Sequence, residues 1–571
     1  MALALVLVFL LAMHIPTPNM DGTGLVMAFN VISLAILVPC LCWAYVSVFG
    51  QASLAIDRAV LLIIGLAVVL TVPMAFATDF DDITQRIVGL WLGVALLVIL
   101  YQQHTLGKEQ VVALVVASTL LEALLGWFQV LYFYEHGFLA YKDSSRPSGV
   151  FQQVNVLASY VATGIAASAW LACYSSGRFF RGLSYLMAVV GPGILFMILS
   201  RAAFVGLAVS VVFIGVFYWR AEARNLLSRW WLALLSGVSV GIMMLWYRNA
   251  TGASPRDIEQ VLTPGKRLYD YGHSLWMIWQ KPWGGWGYGN FDSAFLYSWA
   301  QRSAAGELPG SVSRRLHHPH NELLLWGVEG GLPLMLLIVL VMTLLIVWIF
   351  RSQQQSAWLS LALLAPLAVH AMLEYPFYAS IVHWFAFILL LWVALDGASA
   401  KRRVRIPVKD AWRLLAALLV PVSLVFFVTA YQSSNVLERI YNDPEAAKRN
   451  QELSNITNPF VLGDYRNLAL TTFYLDYAMA LGVESVARAA LSDAQHLVRQ
   501  DPNQVLLVNI IAAHVTLGNT AEAEEFYLLG ASAYDGIAPF DQPRELSEFR
   551  YAGSRFRLTA SPASSAFRMV P

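Results

Sequence analysis

The chain carries the run His317-His318-Pro319-His320-Asn321-Glu322 directly before a long apolar stretch. An imidazole titrates close to neutrality, so a histidine here suits general-base work on a hydroxyl. Three histidines and a glutamate also raise the question of zinc. A zinc site needs three or four ligands at suitable spacing, and the familiar His-Glu-x-x-His helix pattern is absent, so no metal and no cofactor are assigned. The plainer reading of the run is a histidine cluster capping the helix that follows. Arginines come next. Arg146-Pro147-Ser148-Gly149-Val150-Phe151-Gln152-Gln153-Val154-Asn155 precedes an apolar run, Ser200-Arg201 marks a tight turn between two others, and Arg267-Leu268-Tyr269-Asp270 opens a polar loop. A guanidinium beside apolar sequence either reaches for lipid headgroups or faces an anionic ligand, which it can hold with two parallel hydrogen bonds. Pro282-Trp283-Gly284-Gly285-Trp286-Gly287-Tyr288-Gly289 is glycine-rich, but no strand precedes it and no Lys-Ser/Thr follows. A nucleotide-binding loop is therefore not expected. Glycine with Trp and Tyr suits a tight turn with aromatic faces, which stack on sugar rings or sit in the interfacial belt of a membrane. Both readings stand. Glu374-Tyr375-Pro376-Phe377-Tyr378 is a further polar segment between apolar runs.

The elements that must position these residues are membrane spans. Of the 571 residues, 58% are hydrophobic and 13% charged, and the mean hydropathy is +0.59. Soluble chains carry roughly 25% charged residues, so lipid is the solvent for most of this chain. The net charge of +1 gives no basic field for nucleic acid. Cys40, Cys42 and Cys173 lie in apolar runs and form no disulfide framework. The apolar start, to about Met13, lacks a basic n-region and a cleavage site, and reads as a short first span. About thirteen runs can cross a bilayer, near 1–15, 25–48, 59–77, 85–101, 111–133, 154–174, 183–199, 202–219, 230–247, 323–350, 357–374, 381–395 and 412–431.

With a cytoplasmic N-terminus, the cytoplasmic connections hold Arg58; Lys108; Arg178 and Arg181; Arg220, Arg224 and Arg229; Arg351; and Lys401, Arg402, Arg403, Arg405 and Lys409. The short opposite connections, 16–24 and 78–84, hold no Lys or Arg, and the second carries Asp79, Asp81 and Asp82. This alternation follows the positive-inside rule. The expected fold is all-α: a transmembrane domain over 1–431 with 12–13 spans and one large extracytoplasmic loop at 248–322, then a helical extracytoplasmic domain over 432–571. In the latter, Val486, Ala490, Ala494 and Leu497 are expected to line one helix face, Val505 to Leu517 to form another helix, and Asp501-Pro502 and Gly518-Asn519 to break between helices. Paired short helices of this kind are similar to tetratricopeptide hairpins or form an ordinary small helical domain. Glu122 lies mid-span. A buried interhelical hydrogen bond explains it more simply than a proton path, which would need a series of buried acids.

Topology places Arg146, Gln153, Asn155, Arg201, Arg267, His320 and Tyr375 at one membrane face. A site built this way takes a lipid-anchored anionic substrate from the outer leaflet. The constellation resembles the O-antigen ligase and Wzy polymerase superfamily, and within it the bacterial protein O-oligosaccharyltransferases of the PglL type. The resemblance rests on His-Pro-His-Asn-Glu followed by Trp326-Gly327-Val328-Glu329-Gly330-Gly331, on Glu374-Tyr375-Pro376, on Arg146 to Asn155 (with Val154 where the family has proline), on Ser200-Arg201-Ala202-Ala203, and on Arg267 to Gly289. It implies a GT-C-like, inverting, metal-independent transfer of a glycan from undecaprenyl pyrophosphate at the periplasmic side of the bacterial inner membrane. In that scheme His320 is the base, Arg201 and Arg267 meet the departing pyrophosphate, and Arg146, Gln153, Asn155, His317, Asn321 and Tyr375 bind the donor. Superfamily members differ in acceptor: a protein Ser/Thr, the lipid A core, or another glycan repeat. The helical C-terminal region favours a periplasmic or pilin-like protein. A lipid-glycan flippase would need buried charge pairs along a central path, and a structural scaffold would not explain the clustered Arg and His.

Overall fold

The computed structural model describes residues 1–17, 23–51, 53–77, 81–102, 106–133, 146–220, 224–251, 267–308, 316–397, 401–442, 455–458, 460, 463–500, 502–534, 538–540 and 542–549. Asp79, Asp501 and the 252–266 part of the large loop lie outside the described residues. Every expected span is helical. The helices are α1 (Ala2–Leu10), α2 (Ala28–Phe49), α3 (Arg58–Thr71), α4 (Asp81–Gln102), α5 (Lys108–Phe128), α6 (Val154–Tyr174), α7 (Arg178–Ile198), α8 (Arg201–Arg220) and α9 (Arg224–Ala250). After the large loop come α12 (Glu322–Gln353), α13 (Ala357–Ala371), α15 (Ile381–Leu395) and α16 (Lys409–Asn442). Within that loop lie α10 (Arg267–Gln280) and α11 (Phe291–Ala304), and α14 (Pro376–Ala379) is a single turn. By length and composition, ten described stretches can cross a membrane. One of them, Glu322–Ala371, contains both α12 and α13, separated at Gln354, whose φ of 50° ends the first helix. Ala2–His14 and Ile381–Leu395 are apolar but shorter. The chain is an all-α multi-pass membrane protein.

At the centre stands α6. It is rich in Ala, Ser, Gly and Thr and buried along almost its whole length against α5, α7, α8 and α13. Small side chains let helix backbones approach closely where lipid supplies no hydrophobic drive. The last span, α16, packs along α2, so the end of the bundle closes on its beginning.

Polar contacts sort the connections onto two faces. On one face, β1 (Ser53–Ile56) pairs antiparallel with β2 (Arg402–Arg405), with Ser53 opposite Arg405. Sequence patterning gave no sign of this ladder; two extended connectors lie side by side and pair their backbones. Lys108 and Lys401 both meet Asp396, the latter at 3.0 Å, and the Ser175 hydroxyl donates to Glu109 at 2.6 Å. The basic connections 50–58, 102–109, 175–178 and 396–409 therefore share one end of the bundle. Asn155, Arg267, His320 and Glu374 meet at the other, as the alternation of charge requires.

Glu122 has the partners expected of a buried hydrogen bond, and more. One oxygen lies 2.5 Å from His14 Nδ1, and the other accepts from the Val150 amide at 3.1 Å. Gln129 accepts from the Ser148 and Gly149 amides at 3.1 and 2.9 Å. Together they strap down the segment that carries Arg146 to Asn155. Gly149 has φ of 59°, and a Cβ there would stand 2.3 Å from the Glu122 carboxylate, so only glycine fits. Val154 is the first residue of α6, a position that tolerates proline and valine alike, so the helix starts without the family's proline.

The C-terminal region forms α17 (Gly463–Leu481), α18 (Glu484–Gln500), α19 (Gln504–Thr516) and α20 (Thr520–Ala533). Asn503 caps α19 by accepting from Val505 and Leu506. The buried face of α18 is Ala487, Leu491, Ala494 and Val498, one step round from the expected face; Val486 is exposed. The shift follows from a neighbour that patterning cannot see. These helices share one apolar core with α10 and α11, including Met277, Phe295 and Trp299, and the Tyr297 hydroxyl donates to the Val498 carbonyl at 2.8 Å.

Glu122→Ala is expected to leave the buried Val150 amide unpaired, at about 1–3 kcal/mol, and to release His14. A lowered thermal unfolding midpoint of the purified protein in detergent checks this; an unchanged midpoint would mean the strap bears no weight.

Candidate functional site

Four separate segments converge at the end of the bundle away from the basic connections: the start of α6, the start of α10, the start of α12, and the turn between α13 and α14. The start of α12 is set by Asn321, whose side-chain oxygen accepts from the Leu324 amide at 3.0 Å. Its amide nitrogen donates to the Met372 carbonyl at 3.0 Å, which ties α12 to the end of α13. Just before this cap, His320 has φ of 56°. The left-handed region costs a residue of this kind roughly 1–2 kcal/mol, and it aims the imidazole at Glu374. Nδ1 lies 2.8 Å from a Glu374 oxygen. The other carboxylate oxygen accepts from Arg267 and, at 3.1 Å, from the Asn155 amide. The Tyr271 hydroxyl donates to the His320 carbonyl at 3.1 Å and so holds its backbone.

Glu374 is almost fully buried. Burial alone would raise its pKa, but the hydrogen bond and charge of His320, with Arg267 and His370, outweigh it and hold the carboxyl down at about 2. A carboxylate on Nδ1 makes that nitrogen the one bearing hydrogen, so the basic lone pair falls on Nε2. The Tyr375 ring stands between two imidazoles, its centroid 5.3 Å from that of His320 and 5.5 Å from that of His318.

A further polar layer lies on α12 itself. Glu322, Trp326 and Glu329 recur at helical spacing on one face. Glu322 accepts from Trp326 at 2.8 Å and Tyr378 at 2.9 Å, and lies 3.3 Å from His318 Nε2. Burial pushes His318 below the ordinary imidazole range, against the pull of Glu322. Glu329 pairs with Arg86 of α4 and accepts from the Gly289 amide at 3.2 Å, and the Arg86 guanidinium lies over the Trp326 ring at 4.9 Å. Gly331 breaks α12 with φ of 81°. The glycine-rich turn docks there: the Leu332 amide donates to Pro282 at 2.7 Å, and the Trp286 and Gly287 amides donate to Val328 and Glu329 at 2.8 and 3.0 Å. Backbone groups that the helix break would leave unpaired find partners in the turn.

The remaining expected residues have contacts of their own. Arg146 donates to the Ile198 carbonyl at 2.6 Å, beside the left-handed Leu199 that precedes Arg201 at the start of α8. Gln153 is the N-cap residue of α6, with a half-buried side chain that makes no cap bond. His317 Nδ1 lies 3.3 Å from Asp292 of α11. Asn321 spends both ends of its amide on the helix cap and Met372. Among the described residues, no group of three or more His, Cys, Asp or Glu side chains is disposed to hold a metal ion.

Residues 186–339 match a family model described as O-antigen ligase, residues 358–538 one described as virulence factor membrane-bound polymerase, C-terminal, and residues 147–172 one described as protein glycosylation ligase. The chain belongs to the O-antigen ligase and Wzy polymerase superfamily. No curated protein matches it. The matches fall on the convergent segments: the O-antigen ligase match holds Arg201, Arg267 and His320, the polymerase match Glu374 and Tyr375, and the glycosylation ligase match Gln153 and Asn155. It is a glycosyl-transferring membrane enzyme of the O-antigen ligase kind.

For this superfamily member, sequence reading selected Tyr375 from the Glu-Tyr-Pro segment and passed over Glu374, the residue on which the others converge. The signal was present: a carboxylate set between two apolar runs needs a partner. Tyr271 gave no such signal, and the Arg86–Glu329 pair joins residues too far apart in the chain to be matched by pattern.

Glu374→Gln puts an amide where His320 needs an acceptor and removes the charge opposite Arg267. Glycan transfer is expected to fall roughly 10²–10⁴-fold, read with a labelled donor. Because Glu374 titrates below the ordinary carboxylate range, its stabilisation is complete above about pH 5 and drains away as pH falls toward 2. The wild-type melting temperature should rise between about pH 3 and 5, and this rise should shrink in E374Q.

Proposed function

We propose that this enzyme transfers a glycan en bloc from undecaprenyl pyrophosphate to Ser or Thr hydroxyls of a periplasmic or pilin-like protein. The observation that carries the reading is an imidazole fixed through Nδ1 by a buried carboxylate that also holds a guanidinium. Nε2 of His320 accepts the proton as the acceptor oxygen attacks the anomeric carbon. The bond from that carbon to the pyrophosphate oxygen breaks on the opposite side, and the sugar inverts. Arg267 and Arg201 receive the charge that develops on the departing pyrophosphate, with charge-assisted hydrogen bonds in place of a metal. Asn155, Gln153, Arg146 and Tyr375 orient the donor beside them, with His317 and Asn321 at the margin. The basic connections are cytoplasmic in this scheme, the site face is periplasmic, and the membrane is the bacterial inner membrane.

Two observations support a protein acceptor. The segment Pro147–Ala172 matches the protein glycosylation ligase description. The helical hairpins α17–α20 share a core with α10 and α11, and a helical surface of this kind suits a peptide.

The test uses cells that lack their own glycan ligases and make an undecaprenyl-linked glycan. The chain is expressed with a candidate pilin, and the pilin's intact mass is measured. A glycan adduct that disappears with His320→Ala is expected. Transfer that survives His320→Ala at full rate removes the base assignment. A bare pilin with glycosylated lipid A makes the chain a lipid A-core ligase instead.

A further inference from the structure

The glycine-rich stretch and the helix before it carry aromatic residues of two kinds. Trp286 and Tyr288 point inward: Trp286 Nε1 donates to Met277 at 2.9 Å, and the Tyr288 hydroxyl donates to Leu70 at 2.9 Å. Trp279 and Trp283 point outward, 80% and 82% exposed. They continue a stripe along α10 that begins with Leu268, 66% exposed, and Leu275, 54% exposed. These positions recur at helical spacing on one face. The opposite face, with His273, Ser274, Met277 and Ile278, is buried in the fold. The side chains that α10 exposes include none with a charge: Leu268, Tyr269, Leu275, Trp279 and Gln280. A face turned to water on a chain of this kind would carry charge.

Contacts also fix where this stripe lies along α12. Tyr271 bonds to His320, a Cβ on Gly327 would meet Ile278, and the Pro282 carbonyl accepts from Leu332. The two helices thus run side by side in the same direction until α12 breaks at Gly331. Beyond the break, Leu332 to Gln353 is 22 residues, about 33 Å of helix, which matches the hydrocarbon thickness of a bilayer. Leu336, Val339, Leu340, Met342, Leu344, Ile346 and Val347 are exposed along it, the apolar surface that a span turns to lipid. Trp279 and Trp283 stand at the level where that surface begins, with exposed Lys281 between them.

We infer that α10 rests its outer stripe in the interfacial layer of the bilayer, with Trp279 and Trp283 as anchors and ordinary phospholipid as the occupant. Tryptophan favours this depth because its ring is apolar and its N–H polar. The opposite end of the same helix supplies Arg267 to Glu374. The lipid surface therefore sets the height and tilt of a helix that carries part of the site. This inference rests on the membrane character of the chain and not on the identity of donor or acceptor.

The test reconstitutes the unaltered full chain in nanodiscs of phosphatidylethanolamine and phosphatidylglycerol, doped with a phospholipid bearing a diazirine high on its acyl chain. Peptides are mapped by mass spectrometry after illumination, with no polyprenyl diphosphate present. The 267–283 peptide is expected to take up several-fold more label than Glu484–Gln500, whose exposed residues include Arg488, Asp493 and Arg499. Label on 267–283 no greater than on 484–500 overturns the inference. So does label that reaches 267–283 only when a polyprenyl diphosphate carries the diazirine, since the occupant is then the donor's own chain. Neither readout requires glycan transfer, so its failure is distinct from failure of the transferase reading.

Discussion

A carboxylate buried at one end of a membrane bundle is tolerable only if its charge is met from several sides. Glu374 is met by His320, Arg267 and Asn155, which come from the starts of three different helices, while Glu374 itself sits after a fourth. The ends of these helices cannot drift apart without stranding a charge. The rest of the outer layer keeps them there. Asn321 ties α12 to Met372, Tyr271 holds the His320 backbone, and the Glu122 and Gln129 strap fixes the segment before Asn155. Gln152, Leu199 and His320 all adopt left-handed backbone without being glycine, and each lies in a segment bearing polar residues of this face. Such strain persists only where surrounding contacts over-determine the conformation.

The break in α12 is the second constraint. Without it, the helix would carry the Glu322, Trp326 and Glu329 stripe straight into the apolar span. Gly331 separates a polar first segment from an apolar second one, and the glycine-rich turn supplies the backbone partners that the break requires. Gly285 makes this docking feasible. It has φ of 65°, and a Cβ would stand 2.4 Å from the Glu329 carbonyl.

Sequence periodicity and charge alternation were enough to recover the spans and which connections share an end of the bundle, because both follow from the solvent: lipid demands apolar length, and basic residues gather at one end. The residues of the site were legible as a group for the same reason. Arg267, Asn155 and His320 could be assigned to one face before any contact was known. The centre was not legible. Glu374 and Tyr375 are adjacent, and nothing in their order says which one faces the histidine. The face of α18 was misjudged by one step because Tyr297 of α11, which bonds to Val498, lies 201 residues earlier, beyond the reach of local pattern. The β1–β2 ladder escaped notice because pairing between distant connectors leaves no period of its own.

That ladder and the packing of α16 along α2 together bear on how the protein is made. The helix that packs along α2 is synthesised long after it. A nascent chain that has inserted α1 to α15 still lacks the helix that covers α2, and its β1 segment has no strand to pair with. The closing of α16 on α2 therefore comes only after α3 to α15 have been made, and until then lipid or another partner covers that face of α2. A truncation near the final span would strike the oldest part of the bundle first, far from the residues removed.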